Sequence, residues 1–237
     1  MKTIVYSDPL PLLTAETDYE GMTYSRLVFG ERYCAVMLSD GRCGVCATLG
    51  VASPVSLPAV FVPDFGTPAG RVITQATVNA VFNIHDGMSD NTDIGAAILA
   101  SGFRSMVMIG YFCPLIAPLR EAGIGLTIFD PAVDQSMVSP PEQLPDAIAG
   151  CHLLMVTATS ITNNTFVSLM EQVTDGTEVW LVGPSTPLSP LMFSQYPVTR
   201  LFGTRFAAGN HALLNLVEEG YGTRGFNRTG DKVMIVS

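Results

Sequence analysis

The fold is decided by residues 105–129, which read SMVMIGYFCPLIAPLREAGIGLTIF. This stretch predicts a strand over residues 106–109, a helix over 114–122 and a second strand over 126–129. Short apolar runs are typical of buried strands, whereas the longer middle run mixes apolar and charged residues as an amphipathic helix does. A strand, a crossing helix and another strand form a βαβ unit, so the two strands are predicted to be parallel.

The same alternation continues to the end of the sequence. Pro114 and Pro190 suit the first turns of helices, and Gly123 and Gly220 suit the positions that directly follow helix ends. Repeated βαβ crossovers predict a doubly wound, Rossmann-like parallel sheet with helices on both faces. Its further strands are predicted over residues 153–157, 178–182, 198–202 and 232–236, and its further helices over 142–149, 165–173, 190–194 and 212–219.

The N-terminal part has a different pattern, which predicts a small α+β unit. Asp40-Gly41 between two apolar runs predicts a hairpin with a two-residue type I′ turn, in which both residues have positive φ. A Pro- and Gly-rich passage follows, and then a helix is predicted over 72–84. The strands of this unit are predicted over residues 26–29, 33–38 and 43–48.

Residues 85–104 have the composition of a connection between the two parts. Asp, Asn, Gly and Ser dominate its first half, and these residues favour turns and loops. A short apolar turn over residues 94–100 completes it. We therefore expect an α+β domain over residues 1–90 and a Rossmann-like domain over residues 91–237.

Composition excludes several classes of partner. Hydrophobic residues make up 48% of the 237 residues, charged residues make up 14%, and the formal net charge is −9. The clusters of Lys and Arg that nucleic acid and anionic membranes require do not occur. Neither a continuous apolar span of about 20 residues nor a signal-peptide core is found. We expect a cytoplasmic protein, and the low charge predicts a homo-oligomer, most simply a dimer.

The cysteines indicate a reducing compartment and leave a metal site open. Their number is odd and they lie in apolar segments, unlike a disulfide framework. Cys43 and Cys46 have half of a zinc-knuckle spacing, but residues three apart on a strand point to opposite faces. His85-Asp86 is a further candidate ligand pair. A metal ion is a candidate cofactor with its ligands unknown. The five cysteines are Cys34, Cys43, Cys46, Cys113 and Cys151.

The loops after the predicted strands are the candidate ligand site. Ligands of an open parallel sheet bind beyond the carboxyl ends of its strands, where the strand order reverses. Glycine and small hydroxyl residues in these loops allow close backbone approach and offer uncharged hydrogen-bonding groups, although they could also serve as helix caps. The predicted ligand-binding residues here are Gly110, Tyr111, Phe112, Thr157, Thr159, Asn163, Gly183, Pro184 and Ser185.

Three residues near these loops are candidates for catalysis. Cys113 begins a predicted helix, where the helix dipole favours a thiolate, and it could be a nucleophile, a soft metal ligand or a small filler. Asp130 follows Gly110 by 20 residues, the offset of an acid that binds a nucleotide ribose, or it could simply end its strand. The turn after the strand predicted over 106–109 has one glycine, whereas the dinucleotide-binding motif has three, and this argues against NAD bound in its usual pose. Ser160, in the loop after the strand predicted over 153–157, is the third candidate.

Several of these segments together resemble a known family. They resemble the Rossmann-like half of proteins described as "putative heavy-metal chelation", and the N-terminal hairpin with residues 78–81 resembles the companion enolase N-terminal-like domain. The resemblance implies a cleft between the two halves, with Asn79 among its ligand-binding residues, and a role in handling a metal or metal cofactor. Ala158 departs from the glycine that family members tend to carry. The segments are Gly110-Tyr111-Phe112, residues 157–165 (TATSITNNT) and residues 183–188 (GPSTPL).

Three functional hypotheses follow from the sequence. The first is a protein, enzymatic or not, that binds a small molecule or a metal complex in the cleft between the two parts. The second is a nucleotide- or S-adenosylmethionine-dependent enzyme, which the fold and Asp130 favour. The third is a non-catalytic subunit of an oligomeric assembly, which the low charge content favours.

Overall fold

The computed structural model describes residues 5–83 and 93–237 and contains two sheets. The first sheet is antiparallel, with strands in the order β1-β2-β3, and a helix precedes it and another follows it. This is the predicted α+β arrangement. Its elements are α1 (Pro9–Ala15), β1 (Tyr24–Phe29), β2 (Tyr33–Leu38), β3 (Cys43–Ala47) and α2 (Pro68–Val81).

The hairpin between β2 and β3 is confirmed, but its turn type differs from the prediction. Gly41 has φ of 89°, whereas Asp40 does not have positive φ, so the turn is not type I′. The Gly41 N–H donates to the Leu38 carbonyl (2.9 Å), and the Leu38 N–H donates to the Arg42 carbonyl (2.9 Å). This is a three-residue loop with a glycine bulge. Asp40 keeps ordinary φ while its carboxylate accepts from the Arg42 N–H and Nε.

The second sheet has six strands in the order β5-β4-β6-β7-β8-β9. The first five strands are parallel, as predicted, and the strand order reverses between β4 and β6. The prediction of a parallel sheet is wrong at one edge. There the chain reverses direction after β8, and β9 pairs antiparallel with β8. The strands are β4 (Ser105–Ile109), β5 (Gly125–Phe129), β6 (Leu153–Thr157), β7 (Glu178–Val182), β8 (Val198–Phe206) and β9 (Gly230–Val236).

Helices cover both faces of this sheet, as a doubly wound fold requires. Alternate residues of each strand point to opposite faces: Leu154 and Val156 join one hydrophobic cluster, and Leu153 and Met155 join the other. The second cluster includes Trp180, which is fully buried. The helices of this part are α3 (Ile94–Ser101), α4 (Cys113–Glu121), α5 (Leu144–Ala149), α6 (Thr159–Thr162), α7 (Phe166–Met170), α8 (Leu191–Gln195), α9 (His211–Glu218) and α10 (Thr223–Phe226).

The two parts share their cores. The first sheet is covered by α2 on one face and by α9, from the C-terminal part, on the other. Conversely, Leu10 and Leu13 of α1 belong to a core cluster of the large sheet. The predicted domain boundary at residue 90 and the end of the predicted helix at Ile84 lie outside the described residues, so the division into 1–90 and 91–237 stays a prediction.

Some helices differ from their predictions for local reasons. The apolar turn predicted over 94–100 is the helix α3, because the Asp93 carboxylate caps it by accepting from the Gly95 and Ala96 N–H groups. The short helices α1 and α10 were not predicted. Within the described ranges, no helix combines the length and the apolar character needed to cross a membrane.

Candidate functional site

A cavity of about 450 Å³ lies at the carboxyl ends of β4, β6 and β7. We call it the strand-end cavity. Its walls come from the loops after these three strands, from Tyr33 of the first sheet and from α10. Because strand order reverses between β4 and β6, the cavity lies where an open α/β sheet is expected to bind its ligand.

Two glycines with positive φ turn the chain at the rim of this cavity. Gly110 has φ of 98° and Gly183 has φ of 112°, and their N–H groups still donate to the neighbouring strands, to Phe129 and Phe202 carbonyls respectively. A Cβ at Gly110 would lie 3.1 Å from Cβ of Thr157. Glycine at this position therefore lets the loops that follow β4 and β6 pack closely.

The strand-end cavity has no acidic side chain among its described lining residues, although the protein has a net charge of −9. The Thr157 and Thr159 hydroxyls lie 2.9 Å apart and share one hydrogen bond, and Cys113 is exposed at the start of α4. Arg224 is the one charged residue among the described residues that line the cavity, which include neither Asp nor Glu. The cavity therefore favours an anionic or neutral occupant over a free cation.

The helix α10 is held over the strand ends by Tyr33. The Tyr33 hydroxyl lies 3.1 Å from Oγ1 of Thr223, and its ring packs edge-on against Phe226 with centroids 4.8 Å apart. Burial raises the pKa of Tyr33, so its hydroxyl stays protonated and keeps this hydrogen bond. The sequence analysis did not predict that residues of α10 line the site. The only local signal is the glycine-rich run that begins at Gly220, which indicates a turn or loop.

The structure brings most of the predicted ligand-binding residues together. Gly110 lies one residue before the cavity wall. Asn163 is exposed, and its Oδ1 accepts from the Thr165 N–H and hydroxyl, as in a local turn. The predicted residues that line the strand-end cavity are Tyr111, Phe112, Cys113, Thr157, Thr159, Gly183, Pro184 and Ser185.

Asp130 holds a loop of the site in place. Its Oδ2 accepts from the Tyr111 N–H (2.8 Å) and its Oδ1 accepts from the Ala132 N–H (2.8 Å). It lies outside the described lining of the cavity. We interpret Asp130 as a residue that positions Tyr111, and its predicted catalytic role stays a prediction without geometric support.

Asn79 and Ser160 lie between the two parts, beside the site. The Asn79 Nδ2 donates to the carbonyls of Val45 (2.8 Å) and Ser185 (2.9 Å). Ser160 is 1% exposed, and its hydroxyl has no hydrogen-bond partner among the described residues. Neither lines the cavity. These two hydrogen bonds connect β3 of the first part to the loop after β7 of the second. They form without a ligand, so they do not by themselves indicate a ligand-binding role for Asn79.

Polar side chains of α2 fix the loops that form the cavity. The Gln75 Nε2 donates to the carbonyls of Ala158 (3.1 Å) and Ser185 (2.8 Å), and its Oε1 accepts from the Thr162 hydroxyl (2.6 Å). Ala158, which stands where family members tend to carry glycine, has its methyl buried in the core and does not narrow the cavity. Sequence reasoning missed Gln75 because a polar residue in a helix is ordinarily a solvent-facing one.

The described residues do not fit a metal ion held by several protein ligands. No group of three or more His, Cys, Asp or Glu side chains with metal-binding geometry occurs among them. Cys43 and Cys46 pack into clusters on opposite faces of the first sheet, as predicted from their spacing. Burial raises the pKa of Cys46 to about 12, which disfavours the thiolate that binds metals. The candidate pair His85-Asp86 lies outside the described residues.

We expect one cysteine to react with iodoacetamide in the native protein. Cys113 is exposed, whereas the other four are buried and burial raises the pKa of each thiol. At pH 8 the buried thiols should react at least about a hundredfold more slowly, since the thiolate is the nucleophile. Mass spectrometry should show a single rapid adduct that Cys113→Ser abolishes. Rapid modification of two or more cysteines would contradict this burial.

Fold and site together define a two-part α/β protein, with a small antiparallel unit joined to a Rossmann-like unit that carries a strand-end cavity. Comparison with known proteins gives the family. Family models described as "putative heavy-metal chelation" match residues 97–236 and residues 14–82. The chain belongs to this family, as the resemblance in the sequence predicted. No curated protein matches the sequence.

Solved structures show the same fold over nearly the whole chain. A protein of unknown function from the DUF364 family of Desulfitobacterium hafniense DCB-2 is similar with a TM-score of 0.80 at 18% identity. A DUF364 protein of unknown function from Pyrococcus horikoshii is similar with a TM-score of 0.79, also at 18% identity. In each comparison 97% of both chains is covered.

Proposed function

We propose that this protein binds a small organic anion, or a metal ion already held in an anionic organic complex, in the strand-end cavity. The observation that carries the proposal is the charge of the cavity lining, which has Arg224 and neither Asp nor Glu among its described residues. The protein as a whole has 21 acidic and 12 basic residues, so a carboxylate-free cavity beside an arginine is a distinctive local feature.

The family description concerns metals, and the lining determines how a metal would be bound. A free divalent cation would meet a guanidinium and a single thiol there, whereas hard cations prefer several carboxylates and soft ones several thiolates or imidazoles. A metal whose charge is already outweighed by carboxylates of its own chelator suits Arg224 and the hydroxyls of Thr157 and Thr159. Cys113 could supply one soft ligand to it. This reconciles a metal-related family with a site that has few protein ligands.

Of the three candidate catalytic residues, Cys113 alone lines the cavity. Asp130 is engaged by backbone amides and Ser160 is buried, so the arrangement supports binding more directly than it supports a reaction. A cytoplasmic location and a dimeric state remain part of the proposal.

Thermal unfolding with three probes tests the proposal. We expect citrate and the Ni(II)–citrate complex to raise the melting temperature, because each presents carboxylates to Arg224, and NiCl2 alone to leave it unchanged. Arg224→Ala should remove the shift and weaken binding about tenfold or more in calorimetry. Arg228→Ala, which removes an exposed arginine outside the described lining of the cavity, should behave as wild type.

Two results would refute the proposal. One is tight binding of NiCl2 alone that Arg224→Ala leaves unchanged, since it would place a free metal ion elsewhere. The other is the lack of any response of the wild-type protein to citrate and to its nickel complex.

A further inference from the structure

A second cavity, of about 620 Å³, adjoins the strand-end cavity. We call it the outer cavity. Tyr33, Thr223 and Arg224 line both cavities, so the two are neighbours that share one wall. A ligand that extends past Arg224 therefore enters the outer cavity. The other residues that line the outer cavity are Arg32, Glu219, Gly220, Tyr221, Gly222 and Gly225.

Two glycines allow the wall of the outer cavity to pack closely. A Cβ at Gly222 would lie 3.4 Å from Cδ and 3.6 Å from Nη1 of Arg32, so the Arg32 side chain runs along the loop at this point. A Cβ at Gly225 would lie 2.6 Å from Cβ of Tyr221, so only glycine lets Tyr221 pack there. The glycine-rich segment therefore holds Arg32 beside Gly222, close in the chain to Arg224.

The two arginines of the outer cavity have no ion-pair partner. Arg32 and Arg224 are both exposed, and neither side chain makes an ion pair or a hydrogen bond with the residues that the structure describes. Glu219 lines the outer cavity and Glu31 lies near Gly220, but neither carboxylate is at ion-pair distance from these arginines. Because a guanidinium presents a planar fork of N–H donors, both arginines are available to bind anionic groups.

We propose that the strand-end cavity and the outer cavity hold the two ends of one elongated dianion. One anionic group binds Arg224 and the hydroxyls of Thr157 and Thr159, and the second binds Arg32 in the outer cavity. The inference rests on the proposed function for the first group, and it adds the ligand class, an organic chain with two separated anionic groups. Binding of the second group is intramolecular once the first is bound, which raises the affinity without changing the contacts in the strand-end cavity.

A series of dicarboxylates from succinate to suberate tests this inference, each compared with the monocarboxylate of equal length, from butyrate to octanoate. Calorimetry is carried out at about 0.15 M salt, where exposed charges more than about 8 Å apart are largely screened. We expect at least one dicarboxylate to bind about fivefold or more tightly than its monocarboxylate. Arg32→Ala should remove this preference and leave the affinity for the monocarboxylate unchanged, because Arg32 lies outside the described lining of the strand-end cavity.

Arg104→Ala is the matched control. Arg104 is likewise exposed and makes no ion pair with the described part of the chain, but it directly precedes β4 and so lies at the amino end of that strand, away from the strand-end cavity. Its substitution changes the net charge as that of Arg32 does. We expect both affinities to stay at their wild-type values.

Three results would overturn the inference: equal affinity of the wild type for every dicarboxylate and its monocarboxylate, a preference that Arg32→Ala retains, or a preference that Arg104→Ala also removes. The proposed function is tested separately, by the response to citrate and its loss in Arg224→Ala. A citrate response without a dicarboxylate preference therefore refutes the outer cavity as a second anion site and leaves the proposed function standing. No response to citrate or to any dicarboxylate refutes both.

Discussion

Arg71→Ala is expected to lower the free energy of unfolding by about 2–4 kcal/mol, because it removes a buried guanidinium that pairs with the partly exposed Asp8 and binds two backbone carbonyls. The Arg71 side chain is 4% exposed and joins α1, α2 and α6. Its Nη1 lies 2.7 Å from Oδ2 of Asp8, its Nη2 donates to the Ile161 carbonyl (2.6 Å), and its Nε donates to the Thr162 carbonyl (2.8 Å). Alanine would remove the guanidinium from Asp8 Oδ2 and from the Thr162 carbonyl, and would leave the Ile161 carbonyl with only its 3.3 Å hydrogen bond from the Asn164 N–H.

Urea unfolding followed by the fluorescence of Trp180 measures the effect, because this single tryptophan is fully buried in the large sheet. Arg26→Ala is the matched control. Arg26 pairs with Glu218 at 2.8 Å, but Glu218 is largely exposed, so the loss should be below about 1 kcal/mol. The double variant Asp8→Ala, Arg71→Ala should recover part of the loss. A loss for Arg71→Ala as small as that of the control would show that the pair contributes little.

Gly44→Ala is expected to be the other strongly destabilising change, with a loss of about 3 kcal/mol or more. Gly44 lies on β3 directly beneath α2, and a Cβ there would collide with the backbone of Ala76 and Ala80. Backbone atoms in the middle of a helix cannot move aside as a side chain can. The helix would have to lift from the sheet and would lose its packing against Cys46 and Val36.

Gly66→Ala is the control for this substitution. Gly66 has ordinary φ, and an added Cβ would make no contact closer than 3.6 Å, so we expect a change within about 0.5 kcal/mol. Both variants are compared with wild type in the same urea titration. If Gly44→Ala were as stable as Gly66→Ala, the close approach of α2 to β3 would not exist in solution.

Both changes affect α2, and α2 also positions the candidate site. Arg71, Gln75 and Asn79 lie on the side of this helix that faces the second part, and together they bind the carbonyls of Ala158, Ile161, Thr162 and Ser185. The loops that carry Thr157, Thr159 and Ser185 are therefore held by the first part of the molecule. This explains why the two parts occur together although the cavity is lined almost wholly by the second.

Parts of the site could be predicted from the sequence and others could not. The loops after β4, β6 and β7 were predictable, because in a parallel sheet the position after an apolar strand fixes the edge on which a residue lies. Asn79 was predicted to bind the ligand; its Nδ2 donates to the carbonyls of Val45 and Ser185, and the ligand-binding role stays a prediction. Nothing local distinguishes an amide that binds a ligand from one that joins two parts of a protein, since both are polar residues on a buried helix.

The sequence by itself determined the two-part α/β architecture, the hairpin, the parallel strands and the rim on which the cavity lies, because these depend on local periodicity and on turn residues. The tertiary structure alone decided that α10 covers that rim, that β9 runs antiparallel, and that Asp130 holds a loop. It also decided that Arg224 and Asn227 line the strand-end cavity. Each of these depends on contacts between residues far apart in the chain, such as Tyr33 with Thr223, whose partners no short stretch of sequence specifies.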